Sequence, residues 1–422
     1  MSKIRHQINL SSLISDGIMF ISGMLFTLII NLCFPSIFQT NRVHLLSPSL
    51  IPPHVTTKPD LVNHTTFYND PGFSYSMDSP IKNWDEKRHE WLSKNPSFAR
   101  STDRIVMVTG SQPKPCEHTN GDHLMLRLFK NKVDYCRIHG HDIFYNNVLL
   151  HPKMFGYWAK YPLVKAAMLA HPEAEWVWWV DSDAIFTDMD FDLPLEKYKD
   201  HNLVVYGWSN VIYEKKSSMG LNAGVFLIRN CQWSMDLLDR WASFGPQTEN
   251  YAKWGQIQES MFYDKTNTVS DDQTALTYML LMEKDIWGDK IYLESEYYFQ
   301  GYWVNIVGKF ENVTRHYTDI ERMVSALRTR HAEKAGGKYR IHWKRYLDGA
   351  KTGGYGVGSW RRPFVTHFTG CEPCSGEPNP MYSSESCEGG MVTALNFADN
   401  QVLRNFGYTR RDLSNSSSVE LL

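Results

Sequence analysis

Two aspartates one residue apart, Asp181 and Asp183, follow an unbroken apolar run, Trp176-Val177-Trp178-Trp179-Val180. Carboxylate oxygens are hard donors, suited to Mn²⁺ or Mg²⁺ and through such an ion to a diphosphate. The pattern is short, and it recurs at Asp188–Asp190 and Asp190–Asp192. Those repeats follow no apolar run and are expected on a solvated loop. The first pair differs in its place. An apolar run reads as a buried central strand, and open α/β sheets bind ligands beyond the C-terminal ends of their strands. The plainer alternative for Asp181 and Asp183 is a turn or a helix cap.

The elements that must position this pair are legible along the chain. Ile105–Gly110 reads as a first strand. Asp122–His139 has helical spacing through Leu124, Leu128, Val133 and Cys136, with Gly140 as a stop. His141–Asn146 reads as a strand, Tyr157–Leu169 as a helix, and the Trp176 strand follows. Leu203–Tyr206 and Ala223–Ile228 are further strands, the latter leading into a helix with Trp233, Leu237, Leu238 and Trp241 on one face. Gly245–Asn267 reads as a loop-rich lid. Asp272–Met282 suits a helix with Asp271 as N-cap, Asn312–Lys334 a solvated helix, 353–358 a glycine-rich loop, Phe364–Phe368 a last strand and Ala394–Phe406 a terminal helix. Such alternation predicts an α/β fold with crossover helices.

Composition narrows the function. The chain has 422 residues, a formal net charge of −2 and no basic stripe, which argues against nucleic acid. Residues 17–39 carry no charge and are rich in Ile, Leu, Met and Phe, while Lys3 and Arg5 precede them. Spanning a bilayer takes about 20 such residues, and the flanking positive charge keeps the short N-terminus cytosolic. The expected organisation is a cytosolic tail (1–16), a transmembrane signal anchor (17–39), a lumenal stem (40–100), a catalytic domain (101–410) and a C-terminal tail (411–422). Acceptor sequons at Asn63, Asn312 and Asn415 agree with a lumenal chain. Cys33 lies in the apolar segment. Cys116, Cys136, Cys231, Cys371, Cys374 and Cys387 lie beyond it, an even number that favours disulfides in an oxidising lumen. Cys371-x-x-Cys374 alternatively suggests zinc, although no second pair matches it. Membrane anchoring, the carboxylate pair and the 14% aromatic content together point to a nucleotide-sugar glycosyltransferase.

Several longer segments sharpen this. Tyr157-Trp158-Ala159-Lys160, Glu175–Asp188 (EWVWWVDSDAIFTD), Gly220–Trp233 (GLNAGVFLIRNCQW), Ser270–Gln273, Glu294–Trp303 (ESEYYFQGYW) and Arg362–Cys374 resemble the plant family of galactomannan galactosyltransferases and xyloglucan xylosyltransferases. The resemblance spreads over roughly residues 100–410. It implies a GT-A-type fold with a mixed, mostly parallel central sheet, a type II Golgi membrane protein, a UDP-sugar donor, Mn²⁺ and retention of the α configuration.

Carried over by residue, the resemblance implies that Asp181 sits near ribose and metal, with Ser182 beside it, and that Asp183 and His367 ligate the metal. It places Asp271, Asp272 and Gln273 facing the donor sugar, and Asn222 and Gly224 near it. Lys160 is a candidate for neutralising the diphosphate, with a solvated helix face as the alternative. For Asp271 and Asp272 the alternative is helix capping. Ala223 and Val225, within Gly220–Phe226, look like the galactomannan branch, Gln300 and Glu372 depart from the xyloglucan branch, and Glu372, a carboxylate expected near the diphosphate, invites a scaffold reading. The expected reaction is transfer of galactose from UDP-galactose to O6 of mannosyl residues in β-1,4-mannan. The alternatives are a xylosyltransferase using UDP-xylose and a non-catalytic scaffold. Association with other Golgi glycosyltransferases is compatible with each.

Overall fold

The apolar run at 176–180 is a strand buried on both faces. In the computed structural model, which describes residues 67, 70, 72–98, 104–324, 327, 338–349 and 359–422, its side chains alternate between two hydrophobic clusters. Trp176, Trp178 and Val180 enter one cluster, and Val177 and Trp179 enter the other. Alternation is the ordinary geometry of a strand. It makes this strand the wall between two cores, and truncating either fully buried Trp to Ala would cost about 3–5 kcal/mol.

In chain order the elements are α1 (Trp84–Lys94), β1 (Ile105–Gly110), α2 (Gly121–His139), β2 (Asp142–Asn146), α3 (Lys160–Ala170), β3 (Trp176–Val180), β4 (Ala184–Phe186), β5 (Leu203–Gly207), α4 (Ser209–Tyr213), β6 (Leu221–Arg229), α5 (Gln232–Ala242), α6 (Tyr251–Met261), α7 (Asp272–Met282), α8 (Lys284–Trp287), β7 (Ile291–Glu294), β8 (Gly301–Tyr302), α9 (Phe310–Met323), α10 (Lys338–Gly349), β9 (Val365–His367), α11 (Ser384–Leu403), β10 (Tyr408–Arg410) and β11 (Val419–Leu421). The central sheet has the order β2-β1-β3-β6-β5-β7. Its β1–β2, β1–β3 and β5–β7 pairs are parallel. The β6 strand runs antiparallel to both neighbours. The fold is thus mixed α/β with a mostly parallel central sheet, as the sequence led us to expect. One cluster takes Leu124, Leu128, Phe310 and Leu395 from α2, α9 and α11. The other takes Leu163, Leu237 and Leu276 from α3, α5 and α7.

A second sheet, β4-β9-β8, matters most for chemistry. β4 leaves the end of β3 after the Asp181–Asp183 turn and pairs antiparallel with β9, with Ala184 opposite His367. The carboxylate pair and a histidine 184 positions later in the chain are thereby placed side by side.

Several expectations need correction. Within the segment expected as a stem, Met77, Ile81 and Trp84 are buried, and the Trp84 indole donates to Asn230 Oδ1 at 2.8 Å. The expected lid at 245–267 contains α6. The α9 helix is amphipathic rather than solvated, because Phe310, Val313, Tyr317 and Ile320 form a buried stripe. The last helix begins at Ser384, capped by the Ser383 hydroxyl, ten residues before its expected start. The C-terminal tail folds back as an antiparallel β10–β11 hairpin. The expected cytosolic tail, the membrane span, Asn63 and the loop at 353–358 lie outside the described residues. Among the described residues, no helix is long and apolar enough to cross a membrane.

The cysteines divide. Cys116 pairs with Cys374, and Cys371 with Cys387, while Cys136 and Cys231 remain thiols. Disulfide pairing therefore takes four of the six. The two cysteines of Cys371-x-x-Cys374 go to different partners, which overturns the zinc alternative. Burial pushes the Cys136 thiol up to about 12, so it is a small core residue rather than a nucleophile.

Candidate metal centre

The side chains of Asp181, Asp183 and His367 converge. One ligand atom from each lies within 4.8 Å of the others. His367 Nε2 stands 3.0 Å from Asp183 Oδ1 and 3.8 Å from Asp181 Oδ2. The other ring nitrogen, Nδ1, meets the Thr369 hydroxyl at 3.1 Å, which fixes the ring's orientation. Burial opposes a charge on both members of the His367–Asp183 pair. Their mutual attraction outweighs it, holding the carboxyl below the usual range and lifting the imidazole.

The backbone leaves room for this convergence. Gly224 lies beside the turn and accepts from the Asp181 amide at 2.8 Å. A Cβ at 224 would stand 2.3 Å from His367 Cε1 and 2.7 Å from Asp181 Oδ2. Only glycine permits both side chains to be where they are. Two carboxylates and an imidazole form a donor set that suits Mn²⁺, and the missing Cβ at Gly224 lets two of them close over the backbone.

Further side chains aim the set. Trp179 Nε1 donates to Asp181 Oδ1 at 2.6 Å. Asn222 Oδ1 accepts from the Gly224 amide at 2.7 Å. Ser182 occupies the turn between the carboxylates, partly exposed. Its carbonyl accepts from Lys132 Nζ at 2.9 Å.

Lys160 is not on a solvated face. It is 2% exposed, lies 2.8 Å from Asp272 Oδ2 and 3.5 Å from Asp181 Oδ1, and donates to the Ala223 carbonyl at 3.0 Å. Burial disfavours its charge, but Asp181 and Asp272 more than compensate and raise its pKa. It therefore bridges the carboxylate pair at the end of β3 to the start of α7.

The adjacent acids at that start have different jobs. Asp271 caps α7, accepting from the Thr274 amide at 2.7 Å and hydroxyl at 2.8 Å, and meets Lys265 Nζ at 2.5 Å. Asp272 is buried beside Lys160. Burial, followed by Asp271 and Asp181, pushes it up to about 6 against the pull of Lys160. Gln273 is half-buried and donates to the Ser218 carbonyl at 3.0 Å. Of the capping and chemical alternatives, capping fits Asp271.

The branch-marking residues scatter. Ala223 points into a hydrophobic cluster rather than toward the carboxylates. Gln300 is buried, and its Oε1 has no hydrogen-bond partner among the described residues. Glu372 is exposed, in left-handed backbone (φ 38°) between the two disulfides. The Asp188–Asp192 stretch is not a simple solvated loop, because Asp188 is buried. Asn312 and Asn415 are exposed, the latter in the β10–β11 connection. Sequence reasoning missed Lys132, Trp179 and Thr369. The only local hint is that Trp179 and Thr369 each lie two residues from a ligand.

The chain matches the galactosyl transferase GMA12/MNN10 family over residues 101–378. It is 56% identical over 414 residues to "Glycosyltransferase 6" of Arabidopsis thaliana, covering 97% of this chain and 95% of that one. It is 58% identical over 370 residues to "Galactomannan galactosyltransferase 1" of Cyamopsis tetragonoloba, covering 86% and 83%. "Xyloglucan 6-xylosyltransferase 2" of A. thaliana is 42% identical over 349 residues, covering 82% and 68%.

Proposed function

Because this chain belongs to the galactosyl transferase GMA12/MNN10 family, and is therefore a hexosyltransferase, we propose that it moves galactose from UDP-galactose to O6 of mannosyl residues in a β-1,4-mannan. In this reading it is a GT-A-type retaining enzyme of the Golgi membrane with its catalytic domain in the lumen. The observation that carries the reading is the convergence of Asp181, Asp183 and His367 over Gly224. The greater identity to the relative named for galactomannan than to the one named for xyloglucan favours galactose on mannan.

Asp181, Asp183 and His367 would hold Mn²⁺, and the bound ion withdraws charge from the UDP leaving group. The rest belongs to the chain. Thr369 and Trp179 keep the ring and the first carboxylate from rotating away. Asn222 holds the Gly224 amide and so fixes the backbone over which the ligand side chains meet. Retaining transfer develops positive charge at the anomeric carbon, which a fixed carboxylate stabilises. Asp272 is our candidate for that role, since Lys160 holds it in a fixed relation to Asp181. Asp271 sets the start of α7 and so the position of Asp272. Gln273 ties that start to the 217–219 segment.

The test is transfer from UDP-galactose and UDP-xylose, in parallel, onto mannan and glucan oligosaccharides by the purified protein with Mn²⁺. Galactose on mannan is expected. Xylose on glucan would overturn the donor and acceptor assignment. No transfer from a folded protein that binds UDP would overturn the activity and favour a scaffold.

A further inference from the structure

The α2 helix sends three nearly consecutive side chains under the carboxylate turn. Asn131 pairs with both backbone groups of Phe186, donating to its carbonyl at 3.0 Å and accepting from its amide at 2.8 Å. Tyr135 donates to the Phe191 carbonyl at 2.7 Å, and its ring stacks on Phe186 with centroids 4.1 Å apart. Lys132, between them, is 1% exposed, and its ammonium donates to the carbonyls of Ser182 at 2.9 Å and Ala184 at 2.8 Å. Those carbonyls flank Asp183 on either side.

Lys132 is unusual in what it lacks. Among the described residues it forms no ion pair, whereas the other buried lysines of the two cores do: Lys160 meets Asp181 and Asp272, and Lys165 meets Asp239 at 3.0 Å. A buried ammonium without a carboxylate partner is expensive. Its compensation is confined to the two carbonyls of the turn, which would lose this donor in an apolar variant. An ammonium is a compact donor able to hold two carbonyls at once, and gripping both sides of Asp183 restricts the peptide that aims its carboxylate at His367. Burial draws the Lys132 pKa down to about 8 while Asp183 and Asp181 pull it back up, consistent with an ammonium lying in the field of both acids.

We propose that Lys132 is a positioning residue for the metal centre: its ammonium, held by the Ser182 and Ala184 carbonyls, fixes the turn that presents Asp183 to the ion. The inference rests on the metal reading above, so the first arm is wild type, with Mn²⁺ titrated calorimetrically in the presence of UDP. Wild type that binds no Mn²⁺ overturns the metal reading and this inference together. Given wild-type binding, Lys132→Met is expected to weaken Mn²⁺ affinity roughly 10- to 100-fold, the range for partners that orient ligands. Its kcat should fall by a similar factor with acceptor KM unchanged, and its melting temperature should move by no more than a few degrees, since relief of a buried charge offsets the loss of two hydrogen bonds. Lys132→Gln, which keeps a donor for one carbonyl, should recover part of the affinity. Affinity equal to wild type, or tighter because a repelling charge is gone, overturns the proposal. If the Met variant fails to fold, the Gln variant decides: weakened Mn²⁺ binding at a normal melting temperature supports positioning, and normal binding overturns it. Failure of both to fold makes Lys132 a purely structural residue and also overturns it.

Discussion

The chain spells the same short acidic pattern three times within a dozen residues, in two stretches that do unlike things. At Asp181–Asp183 the carboxylates face an imidazole and a glycine that leaves space between them. At Asp188–Asp192 the acids are already answered by the protein. Asp190 lies 3.4 Å from Arg362 Nη1, Asp192 lies 2.8 Å from His139 Nδ1, and Asp188 is buried and accepts from the Asp190 amide at 3.2 Å. Spacing is common to both stretches. The difference is in the neighbours: an arginine, a histidine and a backbone amide take up the second set, whereas the lysines near the first divide their bonds between carboxylates and backbone carbonyls.

The sharpest break of this comparison is a pair of alanines. Asp183→Ala should reduce Mn²⁺-dependent transfer by about 10³-fold or more, with circular dichroism unchanged. Asp190→Ala should leave transfer within about threefold and lower the melting temperature by a few degrees. Equal losses of activity would erase the distinction. The next largest effect is Gly224→Ala, whose methyl would overlap His367 Cε1 and Asp181 Oδ2. We expect transfer to fall about 100-fold and Mn²⁺ binding to weaken with it. Loss of transfer with intact binding would place the damage elsewhere.

Two smaller effects follow from protons. Burial puts Asp272 at about 6. Below that pH it gains a proton and loses its charge, so kcat at saturating Mn²⁺ should fall about tenfold per pH unit on the acid side. An acid limb near 4 instead would mean that Asp272 need not be ionised. Asp188 is also pushed up to about 6, by burial first and Asp190 next, against Arg362. Its folded value lies above its unfolded one near 4. The folded state therefore holds this proton more tightly, and the stability it contributes is full below about pH 4 and is lost as pH rises through about 6. The loss is on the order of 2 kcal/mol, and Asp188→Asn should remove it. Comparing urea midpoints of wild type and variant at pH 4 and pH 7 isolates the difference.

Legibility followed how local the cause was. The strands at 105–110 and 176–180 announce themselves because fully buried strands are continuous apolar runs. The α7 start was legible because an N-cap is a local bond from Asp271 to Thr274. The lid segment misled because α6 carries mostly polar residues, so its helical period is weak. The site was half legible. Asp181 and Asp183 follow a strand, but His367 resembles any other histidine until β9 pairs with β4, and only the resemblance of its surrounding segment singled it out. The lysines were the hardest. Lys132 drew no reading, and Lys160 stayed open between the diphosphate and a solvated face, because the groups that make their burial tolerable come from the turn after β3, from β4, β6 and α7.

The Cys116–Cys374 bond closes a stretch of 258 residues, and the segment just after His367 is held at one end of it. This carries a consequence for how the enzyme is made. Ribosomes extend a chain at roughly 5–20 residues per second, so Asp181 and Asp183 precede His367 by roughly 10–40 s. During that interval the nascent enzyme has its central strand and both acids but no imidazole and no far-end staple. A chain halted anywhere before residue 367 has an incomplete ligand set, whatever else it has folded. In the metal reading proposed above, the three side chains can therefore come together only after residue 367 has been added.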